Sequence, residues 1–213
     1  MKRIALTGGI ACGKSTLAGL LSELGCDVLD TDTLVHALEA PGGAAVAPIM
    51  AAFGAEMQAA DGGIDRRRLG QLVFADETAR LRLNRIVHPL VQTALARWLQ
   101  TPGVQPKVAV VPLLFEVGWD GNWDAVVCVA CADAEQQRRL RARGLPEAQA
   151  RARVAAQLPL EEKIRRASHV VWNDGDLQAL RREAVRLLFG WHHLRHRCPK
   201  EGSRPPDRFR LSP

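Results

Sequence analysis

The chain has 213 residues, of which 47 % are hydrophobic and 24 % charged, and carries a net charge of +6. That balance suits one globular unit with a small inserted or appended subdomain and enough apolar residues to bury a full core. No apolar run approaches the roughly 18 residues of a membrane span, and Met1-Lys2-Arg3 leads through Ile4-Ala5-Leu6 straight into a motif, so no secretory layout is expected and the cytosol is favoured.

Lys2 to Thr7 reads as a first strand, Lys14 to Leu24 as a helix stopped by Gly25, and Cys26 to Asp30 as a second strand. That βαβ order implies a parallel sheet with a right-handed crossover. Residues 44–101 are mostly helical in pattern. Asp76 is the expected N-cap of the longest helix, which carries Leu83, Ile86, Val87, Leu90, Leu95 and Trp98 at helical spacing. Pro89 is expected to break or kink it. Val108 to Val111 and Ala125 to Ala130 are near-continuous apolar runs, as strands covered on both faces require. Helices are expected over 133–143, 147–156 and 160–167, then a last strand from His169 to Trp172. A final helix with Leu177, Leu180, Ala184 and Leu188 on one stripe ends near Gly190. From Trp191 on, Pro, Arg and His without period read as a mobile tail, in which His192, His193 and His196 suit a solvated segment better than a metal site. Residues 191–213 hold most of the positive excess, six Lys and Arg against two Asp and Glu. The basic balance is therefore a weak argument for nucleic acid, and neither a nucleic-acid nor a membrane partner is expected.

Gly8-Gly9-Ile10-Ala11-Cys12-Gly13-Lys14-Ser15 matches the phosphate-binding pattern G-x-x-x-x-G-K-[ST], and it lies between a strand and a helix, as its mechanics demand. Glycines let the backbone curl so that successive N–H groups face an anion, and the helix N-terminus adds partial positive charge. Lys14 would reach the β- and γ-phosphates of ATP, and the Ser15 hydroxyl would hold Mg²⁺. Cys12 reads as a spacer that contributes its backbone, with a reactive thiol as the alternative because a helix N-terminus lowers a thiol pKa.

Ligands of a parallel sheet bind beyond the carboxyl ends of its strands, where Asp30 and Asp32 fall. Asp32 is the candidate base for an attacking hydroxyl, with Asp30 as helper or helix cap. Glu116, after the third strand, faces either a nucleotide–metal site or the surface. Among Arg138, Arg139, Arg141 and Arg143, one or two are expected to stabilise transferring phosphate. The five cysteines are scattered, so no disulfide framework is expected. Cys128 and Cys131 resemble half a zinc site, but residues three apart on a strand point to opposite faces, which favours core packing.

Together these residues resemble the dephospho-coenzyme A kinase family. Thr7 to Ile10 and Gly13 to Thr16 look like its opening, and Asp30-Thr31-Asp32 stands where its Asp-Ala-Asp triplet falls. Ile64-Asp65-Arg66 with Val73-Phe74, His88-Pro89 and Pro112-Leu113-Leu114-Phe115-Glu116 are similar to its later segments. So are Gln136, Arg139, Leu140, Arg143, Gln157, Asn173 and Gly175. The likeness runs from Lys2 to about Leu188. It implies a P-loop nucleoside-triphosphate-hydrolase-like α/β fold: a parallel sheet flanked by helices, with a helical coenzyme-binding part over about 44–101 and a lid over about 140–157. The whole would form one kinase domain over 1–190. It implies transfer of the γ-phosphoryl of ATP, with Mg²⁺, to the ribose 3′-hydroxyl of dephospho-coenzyme A. Asp32, Lys14 and Arg139 would then be catalytic. Gly8, Gly9, Ala11, Cys12, Gly13, Lys14, Ser15, Thr16, Arg143 and Asn173 would hold nucleotide, Ser15 the metal, and Asp30, His88, Leu114 and Glu116 the substrate.

Two departures stand out. Ala11-Cys12 replaces the family's Gly-Ser, so the backbone at Ala11 is expected to avoid φ > 0. His36 stands where the family usually carries arginine. The rivals are a GTPase switch, a transport ATPase, and a P-loop kinase for another small acceptor such as a nucleoside monophosphate or sugar acid. The first two lack their Asn-Lys-x-Asp and Leu-Ser-Gly-Gly-Gln signatures here, and only the helical insert separates the third. Oligomeric state stays open.

Overall fold

A computed structural model of the chain describes residues 1–193. Five strands form one parallel sheet: β1 (Arg3–Gly8), β2 (Asp27–Asp30), β3 (Lys107–Val110), β4 (Ala125–Ala130) and β5 (His169–Trp172), in the order β2-β3-β1-β4-β5. Among the described residues nine α-helices connect and cover them: α1 (Lys14–Glu23), α2 (Thr31–Glu39), α3 (Val46–Phe53), α4 (Arg66–Ala75), α5 (Glu77–Gln100), α6 (Asp133–Ala142), α7 (Glu147–Ala155), α8 (Leu160–Arg166) and α9 (Leu177–His193). Among the described residues, no helix is long and apolar enough to cross a membrane.

The pleat sorts the strand residues between two faces. Ile4, Leu6, Val108, Val110, Val127 and Val129 pack with α1 and α9 on one side. Ala5, Ala109 and Val126 turn to the other, against Leu95 and Trp98 of α5. Both faces are covered, which is why these strands read as unbroken apolar runs. The helices of 44–101 close an apolar cluster of their own around Ile49, Met57, Leu69, Val87 and Val91.

α5 runs continuously through Pro89, so of the break or kink expected there the break does not occur. Asp76 starts it, its carboxylate accepting from the Thr78 and Ala79 amides at 2.7 and 3.2 Å. A proline inside a helix removes one backbone bond. Here Val87 and Val91 before it and after it are buried in the helical cluster, and Leu95 in the sheet core. Tertiary packing on both sides of the proline outweighs the lost bond. α9 also continues past Gly190, and Trp191 is buried against the main core. The helix therefore extends beyond the point at which the sequence suggested an irregular tail would begin. His196 and the rest of 194–213 lie outside the described residues, as do the side chains of His192 and His193.

The strand order sets the site. The chain leaves β1 for β2 on one side of it and passes through β3 to β4 on the other. A crevice opens at such a switch, beyond the carboxyl ends of the strands.

Candidate active site

β1 ends at Gly8, with φ at +140°, where an added Cβ would lie 2.1 Å from the Val129 carbonyl oxygen. Gly13 begins α1 with φ at +102°, and a Cβ there would lie 2.1 Å from Asn173 Nδ2. Only glycine permits both the turn and the approach. Between them Ala11 adopts φ of +58°, contrary to the expectation that its methyl would forbid this. A left-handed alanine costs about 1 kcal/mol. Its methyl is buried in a small apolar cluster with Leu140 and Ala150, which offsets that cost.

Side chains from distant elements brace the loop. The Ile10 carbonyl accepts from Gln136 Nε2 at 2.8 Å, and the Ile10 amide donates to Gln157 Oε1 at 3.1 Å. The Cys12 carbonyl accepts from Asn173 Nδ2 at 2.8 Å and from Arg139 Nη1 at 3.2 Å. Arg139 also donates to the Asn173 carbonyl at 2.7 Å and to Glu135 at 2.7 Å. The guanidinium thus sits beside the loop as a brace on its carbonyls, while keeping its charge near the phosphate site. Arg143 is exposed at the end of α6.

Lys14 Nζ donates to the carbonyl oxygens of Gly8 and Gly9 at 3.1 and 2.8 Å, which holds the ammonium across the loop. Burial pushes its pKa below the usual lysine range, against the pull of the Cys12 and Asp32 charges. Ser15 and Thr16 lie exposed in the first turn of α1, where free amides face outward. The Ser15 hydroxyl is an oxygen donor of the kind Mg²⁺ takes.

On the acceptor side, the buried Thr31 hydroxyl donates to the Val110 carbonyl at 2.9 Å and pins the start of α2 to β3. Asp30 caps that helix, its Oδ1 accepting from the Asp32 amide at 2.9 Å. Asp32 stands in the first turn and lines a cavity of about 230 Å³ with Val35, His88, Leu113, Pro112 and Trp119. Burial, and then the Asp30 charge, raise the Asp32 pKa; Lys14, His36 and Arg66 pull it the other way. His88 meets Trp119 edge to face, with centroids 5.5 Å apart, and burial lowers its pKa. Trp119 also lines a second cavity of about 450 Å³, with Gln92, Leu95, Gln100, Asn122 and Trp123.

Two expected substrate residues are placed otherwise. Leu114 is fully buried with Ala5, Val111 and Phe115, and its neighbour Leu113 faces the cavity instead. In the turn after β3 the Leu114 and Phe115 side chains both enter the core, while Leu113 beside them is exposed and lines the cavity. Glu116 is committed to Lys163, whose Nζ lies 2.7 Å from its carboxylate and 3.1 Å from the Pro112 carbonyl, and it accepts from the Leu158 amide at 3.0 Å. A fully buried ammonium requires such a partner. Lys163, Trp119 and the loop-bracing roles of Gln136 and Gln157 escaped the sequence, where a lone lysine in a basic helix carries no signal. Cys128 and Cys131 are both buried, and Cys131 packs within the main core.

The model of the dephospho-CoA kinase family matches residues 2–179. A dephospho-CoA kinase of Anaeromyxobacter dehalogenans is 48 % identical over 193 residues, covering 88 % of this chain and 91 % of that one. One of Geobacillus kaustophilus is 44 % identical, covering 90 % and 97 %. The crystal structure of TT1252 from Thermus thermophilus superposes with a TM-score of 0.76 at 37 % identity, over 89 % of this chain and 97 % of that one.

Proposed function

The chain belongs to the dephospho-CoA kinase family, and from that premise we propose how its own residues phosphorylate the ribose 3′-hydroxyl of dephospho-CoA with ATP. One juxtaposition supports this function: the loop that ends in Lys14 follows β1 and Asp32 follows β2, both at the carboxyl edge of the parallel sheet, and the Lys14 and Asp32 charges act on one another.

The loop amides not engaged within the fold, together with the α1 N-terminus, bind the triphosphate. Lys14 exchanges the Gly8 and Gly9 carbonyls for phosphate oxygens, which keeps the donor in line. Ser15 Oγ would hold Mg²⁺, which when bound would supply charge neutralisation on the phosphates. Asp32 accepts the proton of the 3′-hydroxyl as the oxygen attacks. Its raised pKa lowers the cost of holding that proton. His88 and Trp119 form the wall against which an adenosine ring packs. The cavity beside Asp32, about 230 Å³, is below the size that holds a whole ligand of this length. The second cavity, with its side-chain amides Gln92, Gln100 and Asn122, gives the acceptor's amide-bearing arm a course along α5.

The residues bracing Ile10 come from α6 and from the end of the α7 segment. The stretch 140–157 acts as a lid over bound nucleotide, as such segments do in phosphoryl transfer.

The test is coupled ADP release over a panel of acceptors containing dephospho-CoA, nucleoside monophosphates and gluconate. Dephospho-CoA should exceed every other acceptor in kcat/KM. Equal or better turnover of a nucleoside monophosphate or gluconate would refute the assignment.

A further inference from the structure

We propose that Cys12 and Cys131 form a reversible dithiol–disulfide pair that disables the triphosphate loop when oxidised by a hydroperoxide. The function described above makes no use of either thiol, and the loss of ATP binding inferred below rests on the reading of residues 8–15 as the triphosphate cradle.

The two sulfurs lie 3.3 Å apart and both side chains are buried, at 0 % and 2 % exposure. They are 119 residues apart in sequence. The fold joins them because β1 and β4 are adjacent parallel strands, with Gly8 opposite Val129, so that the chain leaving each strand passes the other. Closing from 3.3 Å to a disulfide of about 2 Å requires a small rotation of one side chain and a shift of the loop. Cys128 sits on the opposite face of β4 from Cys131 and does not compete for Cys12.

The surroundings favour Cys12 as the first thiol to react. Cys131 donates to it, Lys14 and Arg139 add positive charge, and its pKa falls to about 7, whereas Cys131 is raised. The Cys12 thiolate attacks one peroxide oxygen. The O–O bond breaks, hydroxide leaves and takes up a proton as water, and Cys12 becomes a sulfenic acid. Cys131 sulfur then attacks Cys12 sulfur and loses its proton. The S–O bond breaks and the hydroxyl leaves as a second water. Two thiols and one peroxide thus give one disulfide and two waters.

The consequence lies in the main chain of Cys12. Its carbonyl is held by Asn173 and Arg139, and its amide, bonded to the Gly9 carbonyl at 3.3 Å, belongs to the curl that grips phosphate. Drawing Sγ toward β4 pulls this residue out of register with its neighbours. Misplacing one charge-assisted amide bond weakens binding about ten- to a hundredfold.

The full chain is treated with stoichiometric hydrogen peroxide, quenched, alkylated and mapped by peptide mass spectrometry, and ATP affinity is read by titration with and without dithiothreitol. The expected result is a cross-link between the peptides bearing Cys12 and Cys131, an affinity loss of at least about tenfold, and restoration of both by dithiothreitol. Cys131→Ala should bind ATP normally when reduced and give no linked species, while Cys128→Ala should still link. No Cys12–Cys131 cross-link in the wild type, or a linked protein that binds ATP as tightly as the reduced one, would overturn the proposal. The mapping is read without nucleotide, so failure of untreated protein to bind ATP would strike the triphosphate site and leave the cross-link result standing.

Discussion

Asp32 titrates in a place that works against its own charge. Burial and the neighbouring Asp30 raise its pKa above the ordinary aspartate value of 3.8, and Lys14, His36 and Arg66 only partly oppose them. A base must be ionised to accept a proton, so kcat/KM should fall as pH drops through this raised value, earlier than for an ordinary carboxylate. Asp30→Asn removes the like charge and keeps a helix-capping oxygen. Its acid limb should move to lower pH, and an unmoved limb in the pH–rate profile would separate Asp30 from the titration. Asp32→Asn should lower kcat by about a hundredfold or more while leaving ATP affinity near the wild-type value, as single-turnover kinetics and titration would measure. Asp32 was readable in the sequence because a carboxylate just past a strand is a contiguous signal. The φ of +58° at Ala11 was not readable, because the packing that offsets it comes from Leu140 and Ala150.

At the scale of elements, α8 is tied to the turn after β3 through one buried charge. Lys163 is fully buried and satisfied by Glu116 and Pro112. Lys163→Ala leaves that carboxylate half-buried without its cation and should cost about 3 kcal/mol, measured as a shift of the urea midpoint at constant slope. The proposed lid over 140–157 is held more lightly. Gln136 and Gln157 grip Ile10 from either end of it, while Arg141, Arg143, Arg151 and Arg153 between them are exposed. Saturating ATP should slow tryptic cleavage at these arginines, and Gln157→Ala should reduce that protection. Equal cleavage rates with and without nucleotide would remove the lid role. α5 teaches a related lesson: a break or kink was expected at Pro89, but propensity is a local term, and burial of Val87, Val91 and Leu95 kept the helix continuous.

Over the whole molecule, a parallel sheet whose connections reverse around β1 places the loop after Gly8 and the Asp30–Asp32 turn at its carboxyl edge, and the 44–101 helices close an apolar cluster of their own beside it. A ligand bound only to the folded state stabilises it by about 2.7 kcal/mol at a hundred times its Kd. For a chain of this size Tm should rise by roughly 5–10 °C with saturating MgATP. Lys14→Ala should show a much smaller rise by calorimetry, and an equal rise would place the triphosphate elsewhere. By itself the sequence determined the strand and helix order, the positions of the glycine-rich loop and of Asp32 just past their strands, and the family, because each is written in neighbouring residues whose spacing acts directly on the backbone. Only the tertiary structure decided that Leu113 and not Leu114 faces the cavity, that Glu116 serves Lys163, and that Cys12 meets Cys131. Those outcomes depend on which strands become neighbours and which way each pleat turns, and in the cysteines' case that brings together residues 119 positions apart.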